Sequence, residues 1–397
     1  MKRYFLLFVT IASFLAAQSA VGYAVYTASD STLTFYYGSK PDNAFGLNGP
    51  GEMPFWHING TYAAVKRVVF DSSFIQARPT TTNHWFCDME NLTTITNLNY
   101  LNTSIVVRMN YMFSNCKKLT SIDLSGFNTI RVTRMAYMFN NCSTLTSLDL
   151  TKFNTSNVET MTSMFCKCSS LTSVNLSSFN TFKVTDMSYM FQGCDAITSL
   201  DLNKFNTSKV VYMIGMFRNC NNLTSLNLSS FNTSQVRDMG EMFLGCSKLT
   251  SLALGNFNTS NVTNMSSMFY DCHNLKTVKV SNAWSTTAVT YSDDMFSLCT
   301  SIVGGAGTTY NSNHTNKEYA RIDGGPSEPG YFTSSIGGIL GDVNCDGSVN
   351  AADVTALYNY ILNGDVTYLA TSDVNGDGAV NAGDVTAVYN IILGNLS

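Results

Sequence analysis

Two acidic segments near the C-terminus place oxygen-bearing side chains and glycine at the spacing of a calcium-binding loop. One is DVNGDGAVNAGD, which starts at Asp373, and the other is DVNCDGSVNAAD, which starts 31 residues earlier. In such loops, positions 1, 3, 5, 9 and 12 supply side-chain oxygens and position 7 supplies a backbone carbonyl. The predicted ligands are Asp342, Asn344, Asp346, Ser348, Asn350 and Asp353, and then Asp373, Asn375, Asp377, Ala379, Asn381 and Asp384. Two loops in register predict two Ca²⁺ ions.

Each loop is followed by a segment whose apolar residues repeat at i, i+3, i+4 and i+7, which predicts an amphipathic helix. The stripes are Val354, Leu357, Tyr358 and Ile361, and then Val385, Val388, Tyr389 and Ile392. No helix is predicted before either loop, so the helix–loop–helix arrangement of a calcium sensor is not expected. Residues 341–397 contain seven Asp and no Lys, Arg or Glu, a charge of −7 within a net charge of −4. We therefore expect the Ca²⁺ ions to be structural, with folding coupled to metal binding.

The duplicated loop–helix unit, the Asp at position 12 and the GDVNxDGxVN opening resemble a type I dockerin, the calcium-dependent module that binds a cohesin domain. The resemblance covers residues 341–397. It implies a small all-α domain with two structural Ca²⁺ ions and a cohesin of a scaffold or surface protein as the partner. It also implies that the partner contacts lie at matching positions of the two halves, namely Ala351, Ala352, Tyr358 and Asn359, and then Ala382, Gly383, Tyr389 and Asn390.

A repeat of 26 residues fills the middle of the chain. It is marked by Met-Phe pairs that begin at Met112, Met138, Met164, Met190, Met216, Met242 and Met268, with a further pair at Met295 and an imperfect Trp-Phe copy at Trp85. Within residues 222–246, the leucines of LTSLNL resemble the L-x-x-L-x-L strand of a leucine-rich repeat, and the spacing of Val236, Met239 and Phe243 predicts one face of a short helix. One coil cannot bury both faces alone, so stacked coils are expected. The predicted fold is an α/β leucine-rich-repeat solenoid, with a parallel sheet on one face and short helices on the other, followed by the small all-α domain.

One cysteine per coil occupies the same slot, three residues after each Phe. These are Cys116, Cys142, Cys168, Cys194, Cys220, Cys246, Cys272 and Cys299, and Met89 takes the slot in the first copy. Stacking at about 4.8 Å would hold neighbouring Cβ atoms at or beyond the roughly 3.5–4.5 Å of a disulfide. Buried thiols are therefore favoured, and disulfides are the alternative. Cys87, Cys166 and Cys345 lie outside this ladder.

The repeat resembles the BspA-like leucine-rich-repeat surface proteins of bacteria, because the period, Phe-Asn, Met-Phe and Cys all agree over about residues 86–300. The resemblance implies a binding role at the cell surface or outside the cell, without chemistry. Outward strand positions such as Thr146, Ser147 and Asp149 are polar, and no aromatic residue offers a platform for sugars. This face is either a recognition surface for an unknown protein or glycan, or a solvated sheet without a ligand.

The N-terminus reads MKRYFLLFVTIASFLAAQSAVG, with a basic start, an apolar run and small residues, and this pattern is typical of a secretory signal peptide. Its ~13 apolar residues are short for a membrane span of about 20. We therefore expect a bacterial protein that is secreted, extracellular or associated with the cell surface. The predicted domains are the signal peptide at 1–22, an N-terminal cap at 23–85, the solenoid at 86–303, a C-terminal cap and linker at 304–340, and the dockerin at 341–397.

The residues do not favour an enzyme. The four histidines do not lie at metal-ligand spacing from one another, and a glycosidase needs two carboxylates across a cleft that a solenoid does not offer. No catalytic residue is predicted, and the net charge of −4 gives no reason to expect nucleic acid. The favoured prediction is a secreted non-catalytic binding protein that docks to a cohesin-bearing, cellulosome-like complex, and the resemblance to dockerins implies that this complex serves polysaccharide degradation. The alternatives are a BspA-type adhesin in which the calcium module stabilises or anchors the chain, and, least favoured, a glycoside hydrolase of such a complex.

Overall fold

The computed structural model describes residues 20–48, 52–335, 343, 349–363, 372–375 and 379–393. The strands are β1 (Val21–Thr27), β2 (Thr32–Gly38), β3 (Phe45–Gly46), β4 (Arg67–Phe70), β5 (Thr94–Thr96), β6 (Ser147–Asp149), β7 (Ser173–Asn175), β8 (Ser199–Leu200), β9 (Ser225–Leu226), β10 (Ser251–Leu254), β11 (Thr277–Val280) and β12 (Phe332–Ser334). The α-helices are α1 (Phe55–Ile58), α2 (Ala351–Asn363) and α3 (Ala382–Ile392). Short 3₁₀ helices lie at Thr61–Ala64, Ser72–Gln76, Leu98–Tyr100 and Lys317–Tyr319. Strand β1 overlaps the last two residues of the predicted signal peptide.

The repeats stack as coils whose strands pair in parallel, with each residue opposite its counterpart one repeat later. Ser147 pairs with Ser173, Ser199 with Ser225, and Ser251 with Thr277. Along a strand the side chains alternate, so that Ser147 and Asp149 are exposed while Leu148 between them is buried. A second row of parallel bridges runs along the stack from Thr81 to Tyr291. The predicted leucine-rich-repeat fold class is confirmed.

The face opposite the strands consists of consecutive turns in place of the predicted short helices. The amides of Met239, Glu241 and Phe243 donate to carbonyls of the next coil, whereas those of Met242 and Cys246 donate to carbonyls three residues back. An α-helix would need every amide to bond four residues back at negative φ, but the φ of Glu241 is +59°. Bonds between coils therefore compete with the helix and replace it, while the same apolar residues remain buried.

Identical side chains stack on one another through the core. The phenylalanines of the Met-Phe pairs are at most 1% exposed, and the ring of Phe191 lies 5.5 Å from that of Phe165 and 6.0 Å from that of Phe217. A buried threonine of each coil joins the next coil in the same way. The hydroxyl of Thr181 donates to the carbonyl of Asn206, and the amide of Asn206 donates back to that hydroxyl, both at 2.8 Å. Core packing and hydrogen bonding therefore both run along the stack.

The cysteine ladder consists of buried free thiols, as favoured from the sequence. Each of the eight ladder cysteines is 0% exposed, and none of the described cysteines forms a disulfide. Each thiol donates to the carbonyl of the phenylalanine in the preceding coil; Cys194, for example, donates to Phe165 at 3.2 Å. Burial raises the pKa of the ladder thiols, because the thiolate would lose its hydration. Cys345 lies outside the described residues.

Both ends of the coil stack are covered, so neither end exposes an open core. At the N-terminal end, β2 pairs with β4, and Phe35 stacks on Trp85 at 5.4 Å. At the C-terminal end, β12 pairs with β11, and the indole of Trp284 donates to the carbonyl of Ala320 at 3.0 Å. Within the parts of the chain that the structure describes, no helix has the length and apolarity of a membrane span.

Candidate calcium and docking site

The aspartate at position 12 of each loop closes the loop onto the following helix. Asp353 and Asp384 are both 0% exposed. The carboxylate of Asp384 accepts the amides of Val374 at 2.7 Å, Asn375 at 3.1 Å and Asn381 at 2.8 Å. The carboxylate of Asp353 accepts the amide of Asn350 at 2.8 Å. One buried carboxylate therefore fixes the end of each loop against the start of its helix.

The asparagine at position 9 of each loop caps the helix that follows. The side-chain oxygen of Asn381 accepts the amide of Gly383 at 2.7 Å, and the side-chain oxygen of Asn350 accepts the amide of Ala352 at 2.8 Å. In the second half, Asn381 and Asp384 form a reciprocal capping box. Sequence reasoning assigned these asparagines to calcium and missed the cap, although an Asn with an acidic residue three positions later is its signal. Their role as calcium ligands stays a prediction.

The described residues of the loops fit calcium. The predicted ligands that the structure describes are Asn350, Asp353, Asp373, Asn375, Ala379, Asn381 and Asp384, whereas Asp342, Asn344, Asp346, Ser348 and Asp377 lie outside the described residues. Buried carboxylates are stable when they are paired with a cation or coordinate a metal. Residues 341–397 contain seven Asp and no Lys or Arg, so bound cations would offset this excess of negative charge. The donors are oxygens, which Ca²⁺ prefers, so an oxygen-bound cation suits both loops.

The two helices form one small core. Val354 and Leu357 of α2 and Val385 and Val388 of α3 are buried together, and the position-8 residues Val349 and Val380 pack against them. This confirms the inward orientation that we expect for those parts of the two stripes. The core is separate from that of the solenoid.

The far ends of both stripes point outward instead. Tyr358 and Tyr389 are 46% and 47% exposed, and Ile361 and Ile392 are 36% and 39% exposed. Leu362 and Leu393, which the sequence analysis did not single out, are 73% and 66% exposed. Of the other predicted partner residues, Ala351, Ala352, Asn359 and Ala382 are exposed and Gly383 and Asn390 are half-buried. The helices therefore present the same Tyr, Ile and Leu surface twice, 31 residues apart in sequence.

A shallow groove of ≈ 500 Å³ lies on the strand face of the solenoid. It crosses three coils and is lined by Ser147, Leu148, Asp149, Ser173, Val174, Asn175, Leu176, Ser177, Asp201, Asn203 and Lys204. Its rim is polar, and Val174 is half-exposed on its floor. Ser147 and Asp149, which were expected to face outward, therefore lie together with Asn175 and Asp201 around one concave surface.

Comparisons with solved structures return bacterial repeat proteins at low identity. A leucine-rich repeat protein from Bacteroides ovatus is 16% identical, with 72% of this chain and 80% of that chain covered and a TM-score of 0.40. A leucine rich cell surface protein from Faecalibacterium prausnitzii is 17% identical, with coverages of 70% and 91% and a TM-score of 0.23. A leucine-rich repeat protein from Eubacterium ventriosum is 16% identical, with coverages of 70% and 95% and a TM-score of 0.26. Curated proteins give no match.

Family models cover both parts of the chain. The model described as "Mycoplasma protein of unknown function, DUF285" matches residues 80–200, 145–226 and 213–320, and the model of the dockerin type I domain matches residues 340–393. These matches confirm the resemblance to BspA-like repeat proteins that end in a type I dockerin. Because the repeat matches together span more than half of the 397 residues, the chain belongs to the DUF285 family and carries a dockerin type I domain at its C-terminus.

Proposed function

We propose that this protein is a secreted, non-catalytic binding protein that docks through its calcium-folded dockerin to a cohesin-bearing partner. The observation that carries the proposal is the duplicated surface of Tyr, Ile and Leu on α2 and α3, within the region that matches the dockerin model. Apolar side chains exposed this strongly on a small domain are typical of an interaction site. The expected location is extracellular or at the cell surface, and the expected context is polysaccharide degradation.

Calcium is proposed to act as a structural ion at both loops. Asp353 and Asp384 bind the starts of the helices that carry the docking residues. Any loss of the loops therefore also displaces Tyr358 and Tyr389. Docking is expected to depend on Ca²⁺ for this reason, although no calcium contact with the partner is required. The number of ions, two, follows from the two loops and stays a prediction.

The two-fold repetition of the surface supports two equivalent docking orientations. In this arrangement, either half engages the partner while the other half stays free. Tyr358→Ala or Tyr389→Ala alone is then expected to leave most of the affinity. The double variant is expected to lose it, because both orientations are damaged.

The strand face is proposed to present a recognition surface. The groove across three coils supports this role, with Asp149, Asp201 and Lys204 as charged groups at its rim. It also favours the second candidate function, a BspA-type adhesin in which the calcium module stabilises or anchors the chain. A polar protein surface or a glycan is the expected ligand, since the Ser and Asn side chains on this rim both donate and accept hydrogen bonds, the Asp side chains accept and Lys204 donates.

Calcium-dependent capture tests the proposal. The full chain is immobilised and exposed to envelope and secreted proteins of the producing organism, with Ca²⁺ or with a chelator, and captured proteins are identified by mass spectrometry. The proposal expects a protein with a cohesin domain to be retained only with Ca²⁺. Tyr358→Ala/Tyr389→Ala serves as the control that keeps both loops. Retention that is equal with the chelator or in the double variant would favour the adhesin.

A further inference from the structure

We propose that His57, Cys87 and Asp88 form a binding site for a divalent transition metal ion, with Zn²⁺ as the best fit. The site lies where the N-terminal segment meets the first coil. The ligand atoms of the three side chains all lie within 4.8 Å of one another, and no other such group of His, Cys, Asp or Glu occurs among the described residues. Imidazole, thiolate and carboxylate together are the ligand types that Zn²⁺ takes in proteins.

The spacing of the His57 and Asp88 ligand atoms suits a tetrahedral ion. Nε2 of His57 lies 3.2 Å from Oδ2 of Asp88. Two such ligands bound at 2.0–2.2 Å with a tetrahedral angle are about 3.4 Å apart. The Cys87 side chain is almost fully buried, whereas the side chains of His57 and Asp88 are 16% and 36% exposed. The three protein ligands therefore leave one position on the solvent side for water.

Neighbouring side chains hold the ligands in this orientation. The ring of His57 stacks on that of Tyr62 with centroids 4.3 Å apart and 11° between planes. The side-chain amide of Asn115 donates to Oδ1 of Asp88 at 2.5 Å, which leaves Oδ2 toward His57. The amide of Asn141 in turn donates to Oδ1 of Asn115 at 2.8 Å. Such outer contacts fix the geometry and basicity of metal ligands.

A comparison within the chain separates this cluster from an ordinary core position. Cys166 follows Phe165 as Cys87 follows Phe86, and both cysteines are 6% exposed. A buried cysteine directly after the core phenylalanine is therefore an ordinary feature of the coil and does not by itself indicate a metal site. The residue after Cys166, however, is Lys167, where the first coil has Asp88. The carboxylate and the histidine accompany the cysteine only in the first coil, as a metal site requires.

The expected role of the ion is to tie helix α1 to the first coil. When the metal–sulfur bond forms, the thiol proton of Cys87 leaves to solvent, and the thiolate and carboxylate neutralise the charge of the ion. His57 comes from α1 and the other two ligands from the first coil. The bound ion therefore stabilises the packing of α1 on the first coil, at the N-terminal end of the solenoid.

Co²⁺ is a suitable probe, because a thiolate bound to it gives a charge-transfer absorption in the near ultraviolet. The full chain carries Cys345→Ser, which removes the thiol of the predicted calcium loop, and is titrated in saturating Ca²⁺. We expect one equivalent of Co²⁺ to produce the absorption. Cys87→Ser should abolish it and the matched variant Cys166→Ser should keep it. Asp88→Asn and His57→Gln should weaken binding by more than the 10–100-fold that loss of an outer contact costs.

The absence of a thiolate absorption with Co²⁺, or its persistence in Cys87→Ser, would overturn the proposal. A second readout, the Tm of thermal unfolding, does not depend on light absorption by the bound metal ion. Zn²⁺ should raise the Tm of Cys166→Ser by clearly more than it raises the Tm of Asp88→Asn, which alters a partly exposed side chain and keeps the core cysteine. Equal Zn²⁺ shifts in these two variants would also contradict the site.

Discussion

The thiol ladder predicts a steep loss of stability in alkaline solution. The ladder cysteines keep their protons in the folded chain, since burial raises the pKa of Cys168, Cys194 and Cys220 well above the ordinary 9.0. The unfolded chain loses these protons as the pH rises through about 9. It then binds fewer protons than the folded chain, so stability is complete below pH 9 and falls above it.

The magnitude follows from the proton linkage. At pH 10 a thiol of pKa 9.0 in the unfolded chain is about ten parts ionised to one part protonated, which favours unfolding by about 1.4 kcal/mol per buried thiol. Eight ladder thiols would together contribute about 11 kcal/mol. Tyrosines and lysines also titrate in this range, so the thiol contribution must be measured as a difference between variants.

Cys168→Ser/Cys194→Ser/Cys220→Ser isolates that difference. The serine hydroxyl does not ionise near pH 10 and is able to donate to the same phenylalanine carbonyl. The free energy of unfolding is measured by urea at pH 8 and pH 10, with a reductant and Ca²⁺ present. Between these pH values the wild type should lose about 4 kcal/mol more than the triple variant. An equal loss in both proteins would refute protonated, buried thiols.

Three further predictions concern single contacts. Thr181→Val keeps the shape of the side chain but leaves the backbone amide of Asn206 without its acceptor. The free energy of unfolding in urea should therefore fall by about 1–3 kcal/mol. An unchanged urea midpoint would contradict the hydrogen bonds that the buried threonines make between coils. Phe191→Ala removes a fully buried ring from the stack, which should cost about 3–5 kcal/mol, and a loss below 1 kcal/mol would mean that the rings do not carry the core. Asp384→Asn should remove one of two Ca²⁺ ions in calorimetry and lower the helical circular dichroism, whereas Asp365→Asn, outside both loops, should change neither.

Repetition made the solenoid predictable from the sequence. A period of 26 residues sets the strand register directly, and the structure pairs Ser147 with Ser173 in that register. The buried leucines, the Met-Phe pairs and the free thiols followed from the same period. The prediction of a short helix in each coil was wrong, because the spacing of Val236, Met239 and Phe243 suits both a helix and a run of turns. The choice between them depends on hydrogen bonds to the next coil, and a pattern within one coil contains no information about these bonds.

The calcium loops could be predicted from the sequence, whereas the exposed helix ends and the His57–Asp88 contact could not, because they depend on packing between distant segments. The calcium loops lie within 12 consecutive residues each, so their ligand pattern can be read locally. The outward turn of Ile361 and Ile392 depends on how α2 packs against α3, which helical spacing alone does not specify. His57 and Asp88 are 31 residues apart, and only the packing of α1 on the first coil brings them together. For this reason, the sequence spacing of the four histidines did not indicate a metal site.

Equilibrium binding between the full chain and a purified cohesin domain of the producing organism is the first measurement to make, because it reports docking itself. Isothermal titration calorimetry is run with Ca²⁺, with a chelator, and with Tyr358→Ala/Tyr389→Ala in Ca²⁺. We expect one cohesin per chain in Ca²⁺, no binding with the chelator, and at least about 30-fold weaker binding for the double variant, because either docking orientation then lacks one interface hot spot of about 2 kcal/mol. Unchanged affinity in the double variant, or binding that survives the chelator, would contradict docking through the calcium-folded helices.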